Sequence, residues 1–261
     1  MAYSAIIYLT HQCPLQCKHC FLVTKGKVPS EEKISFDKAV QILDYLQKEK
    51  YFMVAYTGGD PLCHPNLFEI LKMTYERGML PLLGVSGVNI THQIAEKIYD
   101  SGVRCVQVSL DGSNESMNSS FRGAGVFAEV INGIDILQQH GINVNVAMCI
   151  ADVNLSDYKN IINLCYDKHI YKLKVTFYYD YGNDNNFCYE ITKAQKAEVI
   201  EYCKKFEIEH SLNDWILCVD ERNELMDIHK SALVIDVDGS VKNTEYTADF
   251  QNMDFLLEAK E

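Results

Sequence analysis

Short apolar runs rich in β-branched residues alternate along this chain with longer stretches whose apolar residues recur every three or four positions. The first pattern predicts strands and the second amphipathic helices. Ile6 to Leu9 opens the series and is followed, after a polar loop, by a helix from Phe36 to Glu49 with Ser35 placed to cap it. Met53 to Tyr56 precedes a helix from Leu67 to Glu76 that ends at Gly78. Leu82 to Val85 precedes Thr91 to Tyr99, with Gly102 as the stop signal. Cys105 to Ser109 precedes Val126 to His140, closed by Gly141, and Val144 to Ile150 precedes Leu155 to Tyr166. Lys172 to Tyr178 makes a sixth strand. Strands alternating with helices imply right-handed βαβ crossovers and a parallel sheet.

The fold class predicted is therefore α/β: an open, partial (β/α)6 TIM-like barrel over residues 1–183. The breaker cluster Tyr181 to Asn186 ends it. Residues 184–261 read as a short α+β C-terminal extension. It contains a helix from Thr192 to Ile208, an apolar stretch from Trp215 to Val219, a short helix over Glu221 to His229 and a hairpin turning at Asp238 and Gly239. The extension is expected to plug or lid the barrel.

Composition narrows the class. The chain has 261 residues, of which 48% are hydrophobic, enough for one domain with a sizeable core and an appendage. A net charge of −12 argues against nonspecific binding to nucleic acid or to an anionic membrane surface. No apolar stretch reaches membrane-spanning length, and Met1 to Leu9 lacks the basic region of a signal peptide. Ten cysteines in such a chain read as thiols of a reducing compartment, and a cytoplasmic, oxygen-sensitive protein is expected.

Three of those cysteines stand together. Cys13, Cys17 and Cys20 form a C-x3-C-x2-C run directly after the first strand. Thiolates are the soft ligands that iron–sulfur clusters take. A [4Fe-4S] cluster held by three cysteines keeps one iron without a protein ligand, and an open position is where a substrate or cofactor binds. The competing readings are a structural zinc loop, with His11 or His19 as fourth ligand, and three unrelated thiols.

This spacing resembles the signature of the radical S-adenosylmethionine (SAM) superfamily, and the resemblance extends to other motifs. Thr57 to Leu62 follows the second strand and is similar to the family's Gly-Gly-Glu-Pro element, with Asp60 where Glu is commoner. Val108 to Gly112 and Phe121 to Gly123 resemble elements of the branch that carries C-terminal SPASM or Twitch domains, which includes peptide maturases and molybdenum-cofactor precursor cyclases. The resemblance covers about residues 5 to 180. It implies one [4Fe-4S] cluster on Cys13, Cys17 and Cys20, with SAM on the open iron. It implies SAM contacts from His19 beside adenine, Gly58, Gly59 and Asp60 at the methionine amine, Ser86 near the ribose, Ser109 and Asp111 in the ribose or carboxylate region, and Arg122 at the carboxylate. The terminal hairpin resembles the opening of a SPASM or Twitch domain, but Asn243 stands where a cluster cysteine is usual and no cysteine follows Cys218. A shortened remnant without auxiliary clusters is expected.

Other residues carry weaker signals. Asn145 and Asn154 are polar candidates near the fifth strand, and Tyr178, Tyr179, Asp180 and Tyr181 end the sixth. Cys63 is the further cysteine nearest the predicted site. Cys218 is a candidate hydrogen-atom donor, with a buried structural cysteine as the plainer reading. The implied activity is reductive cleavage of SAM to a 5′-deoxyadenosyl radical that abstracts hydrogen from a substrate carbon. The substrate is a peptide or peptide-derived product, or alternatively a small molecule such as a sugar or cofactor precursor. A one-electron reductant such as flavodoxin or ferredoxin is the expected partner. A metal-stabilised binding scaffold without catalysis is the reading from another class.

Overall fold

The computed structural model describes residues 3–24, 27, 30–180, 187–219, 232–242 and 250–252. Within them, strands β1 (Tyr3–Thr10), β2 (Tyr51–Gly58), β3 (Leu80–Val85), β4 (Cys105–Ser109), β5 (Asn143–Ile150) and β6 (Lys172–Phe177) pair in sequence order, all parallel. The helices between them are α1 (Phe21–Thr24), α2 (Phe36–Lys48), α3 (Leu67–Glu76), α4 (His92–Asp100), α5 (Glu115–Arg122), α6 (Val126–Gln139) and α7 (Tyr158–Asp167). This is the six-unit parallel barrel that the periodicity predicts. The expected helix Leu155 to Tyr166 begins instead as a 3-10 turn over Asp152–Asp157, and α5 went unpredicted.

The helices start where local chemistry satisfies their orphan N–H groups. Ser35 accepts from the N–H of Lys38, Thr91 from Ile94 and Asn114 from Met117. Strand burial alternates strictly: in β5 the side chains of Val144, Val146, Met148 and Ile150 are buried, while Asn145, Ala147 and Cys149 between them are partly open. The buried set joins the main core with Val130, Ile134 and Leu137 of α6 and Ile161 and Ile162 of α7. The other set faces the barrel lumen.

Four further strands among the described residues beyond 186 join the same sheet. Helix α8 (Lys193–Glu209) leads to β7 (Ile216–Val219), which pairs parallel with β6. At the opposite edge β8 (Ala232–Ile235) pairs parallel with β1. It turns through Asp238 and Gly239 (φ +80°) into antiparallel β9 (Ser240–Lys242), followed by β10 (Phe250–Asn252). The sheet order is β10-β9-β8-β1-β2-β3-β4-β5-β6-β7. The predicted hairpin is present, and β8 extends the sheet edge beside β1. Tyr181 to Asn186, the expected helix over Glu221 to His229 and Asn243 lie outside the described residues.

Candidate active site

The cysteine loop is tied down from three sides. From the second unit, Gly59 donates its N–H to Thr10 O at 2.7 Å and Asp60 to Gln12 O at 2.8 Å. From α5, Phe121 O accepts from the N–H of Lys18 at 3.0 Å. Inside the loop, Cys20 N–H bonds Cys17 O at 3.1 Å, which folds Cys17 to Cys20 into a turn. The approach of the two loops requires glycine. A Cβ on Gly58 (φ +138°) would sit 2.2 Å from Thr10 O, and one on Gly59 would sit 2.4 Å from Gln12 O.

These loops close over a cavity of about 310 Å³ at the C-terminal ends of the strands. Cys13, Cys17, Cys20, His19, Gly58, Gly59, Ser86, Ser109 and Arg122 all line it. That brings together nine of the twelve site residues named from sequence. Asp60, Asp111 and Cys218 are not part of the lining.

Asp60 lies just behind the wall, 1% exposed. Its carboxylate accepts from Leu62 N–H at 2.9 Å, Ser86 N–H at 3.1 Å and the Ser86 hydroxyl. Burial raises its pKa, opposed by those same bonds from Ser86 and Leu62. Asp60 therefore fixes Ser86, and Ser86 forms the cavity surface. Asp111 is fully buried and works in the same way. It accepts from Cys149 N–H at 2.8 Å and from Arg122 Nε at 2.6 Å, with His19 Nε2 at 3.3 Å. Asn154 binds the carbonyls of Asp111 and Cys149 through its amide, so it knits the ends of β4 and β5 together.

Arg122 then reaches the cysteines, with Nη1 3.8 Å from Cys17 Sγ. Burial works against the guanidinium charge, yet Asp111 and the thiols of Cys17 and Cys20 hold its pKa above the ordinary value. Burial pushes the Cys13 thiol up to about 12 and raises that of Cys17, opposed there by Arg122. Burial also pushes His19 down to about 4, so its ring is neutral near pH 7. His19 Nδ1 is buried without a partner, and the ring stacks edge-on to Phe121 at 5.0 Å.

This arrangement fits an iron–sulfur cluster with a second ligand. Three thiols on one loop give an all-sulfur donor set, and buried thiolates form only when a cation offsets their desolvation. The described residues hold no group of three or more His, Cys, Asp or Glu placed for a single metal ion. A cluster takes one thiolate per iron, so its ligands need not converge on one point. The orphaned Nδ1 of His19 offers a hydrogen-bonding atom to whatever lies beside it.

A family model described as the radical SAM superfamily matches residues 7–165. The chain belongs to the radical SAM superfamily. Members of that family use a [4Fe-4S] cluster and SAM. The AdoMet-dependent heme synthase of Oleidesulfovibrio alaskensis is 30% identical over 158 residues, covering 60% of this chain and 40% of that protein. The mycofactocin maturase MftC of Mycobacterium ulcerans is 25% identical over 215 residues, 82% of this chain and 54% of that one. Among solved structures, Streptococcus suis SuiB bound to its precursor peptide SuiA superposes with a TM-score of 0.81 at 15% identity, covering 99% of this chain and 63% of SuiB. That last likeness shows a shared fold. The chain spans about half the length, or less, of these two curated relatives.

Several cavity residues escaped the sequence reading. Thr57, Gln107, Cys149 and Thr176 line the site. Each sits at the inward parity of its strand, so polar residues at alternate positions of apolar strands were the available signal. Tyr178 and Tyr179 line the cavity and are buried, and Tyr179 accepts from Lys196 Nζ at 2.9 Å. Asp180 is exposed and Tyr181 is outside the described residues. Cys218 is registered with Val175, on the helix side of β6, and its free thiol is hydrogen-bonded to that of Cys203 on α8. The structure does not bring it to the cavity. No helix among the described residues is long and apolar enough to cross a membrane.

Proposed function

We propose that this protein is a radical SAM enzyme in which Cys13, Cys17 and Cys20 hold one [4Fe-4S] cluster and SAM binds across Gly58, Gly59, Ser86, Ser109 and His19. The observation that carries this reading is the meeting of the three thiols with those residues around one cavity. The chemistry that bound cluster and SAM supply is one-electron cleavage of SAM to a 5′-deoxyadenosyl radical, which takes hydrogen from a substrate carbon.

The chain's own residues bind, orient and exclude water. Ser86 presents its hydroxyl from a position set by Asp60. Arg122, charged and paired with Asp111, lies beside Cys17 and favours its thiolate. Buried Phe121, Tyr178 and Cys188 form an apolar cluster by the cysteine loop and keep water from that side. A flavodoxin- or ferredoxin-like protein is the electron source this reading requires.

Peptide or natural-product modification is the favoured substrate class, supported by the likeness to a mycofactocin maturase. A small-molecule substrate is the second reading, supported by the likeness to a heme synthase and by the polar barrel lumen described below. The test is anaerobic reconstitution with iron and sulfide, reduction, addition of SAM and chromatography for 5′-deoxyadenosine. Product is expected from the wild type and none from Cys17→Ala. A loaded cluster that yields no product would sink the enzyme reading and favour a metal-stabilised scaffold.

A further inference from the structure

A second cavity, of about 230 Å³, lies within the barrel lumen. Thr57, Gly84 and Gln107 line both it and the upper cavity, so the two adjoin at these residues. Three polar side chains enter it from neighbouring strands: Gln107 from β4, Asn145 from β5 and Lys174 from β6. Gln107 and Asn145 are direct register partners, and Lys174 is registered with Ala147, two residues further along β5. Strands lie about 4.8 Å apart and a two-residue step is about 6.6 Å, a span within the reach of the long lysine stem, and all three side chains line the one cavity. Alternation sets the direction: Val106, Val108, Val144, Val146, Leu173 and Val175 take the buried helix side.

None of the three has its polar group committed. Asn145 Oδ1 is buried without a partner. Lys174 and Gln107 make no side-chain hydrogen bond or ion pair among the described residues. No Asp or Glu lines the cavity, and apolar Ile6, Ala55 and Leu82 form much of its opposite wall. An ammonium and two primary amides without counter-charge, in a concave apolar setting, leave a deficit that an anion satisfies. The Asn145 amide presents its N–H2 on reversal, which makes three donor groups for two oxygens. The chain as a whole carries −12, so an anion drawn here is drawn by local geometry.

We propose that Lys174, Asn145 and Gln107 form a subsite for a substrate carboxylate, one pleat repeat below the SAM cavity, which points the rest of the substrate at the reacting centre. The inference rests on the radical SAM reading for its meaning and on the lumen geometry for its location. The carboxylate belongs to a small acid or to an acidic side chain or C-terminus of a peptide.

Calorimetric titration of the cluster-loaded protein tests it. The probes are glutarate and a short glutamate-containing peptide with a free C-terminus, each against its amide counterpart. Wild type is expected to bind an acid probe over its amide, and Lys174→Met to bind it at least about tenfold more weakly. Asn145→Leu should weaken binding in the same direction, Lys174→Arg should retain most of it, and Lys205→Met on the outer face of α8 should match wild type. Binding of glutarate alone assigns a small acid, and binding of the peptide alone assigns a peptide. No acid probe bound by wild type, or equal binding by Lys174→Met, overturns the subsite. SAM cleavage is measured in parallel: its absence with carboxylate binding intact counts against the enzyme reading alone.

Discussion

Asp111 accepts a 2.6 Å hydrogen bond from Arg122 Nε, and neither side chain is more than one-tenth exposed. The pair joins the end of β4 to the end of α5, and through Arg122 Nη1 it touches Cys17. An ion pair buried this well is stabilising only while both partners are present, since removing one strands the other charge in a low-dielectric setting.

Asp111→Asn should therefore destabilise the protein by about 3–5 kcal/mol, measured by urea unfolding of the metal-free protein. Arg122→Met with Asp111→Asn should recover part of that loss. A single variant as stable as wild type would show that the pair is solvated in solution.

Gly59→Ala places a Cβ 2.4 Å from Gln12 O and 2.7 Å from His11 O, both backbone atoms of the cysteine loop. The loop must move, at a cost of about 1–3 kcal/mol. Iron and sulfide analysis after reconstitution should show substoichiometric cluster. Gly78→Ala is the contrast, since its Cβ meets nothing within 4 Å; its φ of +77° brings backbone strain without touching the loop, so cluster content should be normal.

Cys165, 1% exposed on α7, has its thiol pushed up to about 12 by burial from an ordinary 9.0. Between those values the unfolded chain loses this proton and the folded chain keeps it. The contribution to stability is thus complete below pH 9.0 and lost as pH rises toward 12. Urea midpoints should fall from pH 8.5 to 10.5, and less steeply in Cys165→Ala. The same burial predicts no alkylation of Cys165 by iodoacetamide in the native state.

His11 is 2% exposed and spans two partners, Glu32 at 3.1 Å and Asp236 at 2.9 Å. Asp236 also takes Lys27. These bonds pin the end of β8 to the start of the cysteine loop. Asp236→Ala should cost about 1.5–3 kcal/mol and speed hydrogen exchange in Ala232–Ile235 before the rest of the sheet. Exchange unchanged in that strand would show that backbone pairing with β1 suffices.

Much of the barrel was legible because its signals are local. Val144, Val146, Met148 and Ile150 alternate at period two, Val130, Ile134 and Leu137 recur at helical spacing, and both patterns are dictated by which face meets the core. Helix α5 was missed because its segment, Glu115 to Arg122, is mostly polar, and its stability comes from Phe121 packing and the Asn114 cap. The cavity glycines were visible as a motif, whereas their reason, the close approach of Gly58 to Thr10 and of Gly59 to Gln12, involves residues far earlier in the chain.

By itself the sequence determined the family, the parallel barrel and the three thiols, since motif spacing and hydrophobic period are properties of neighbouring residues. Only the tertiary structure decided which carboxylates reach the cavity. Asp60 and Asp111 each sit in a motif read as contacting SAM, and both carboxylates lie behind the wall, bound by N–H and guanidinium donors from the turn after β3, from β5 and from α5. Likewise β8 lies on the edge of β1, and Cys218 faces α8. Such choices depend on which distant donors and apolar faces the fold brings near, and burial makes a carboxylate take its strongest available partners wherever they come from.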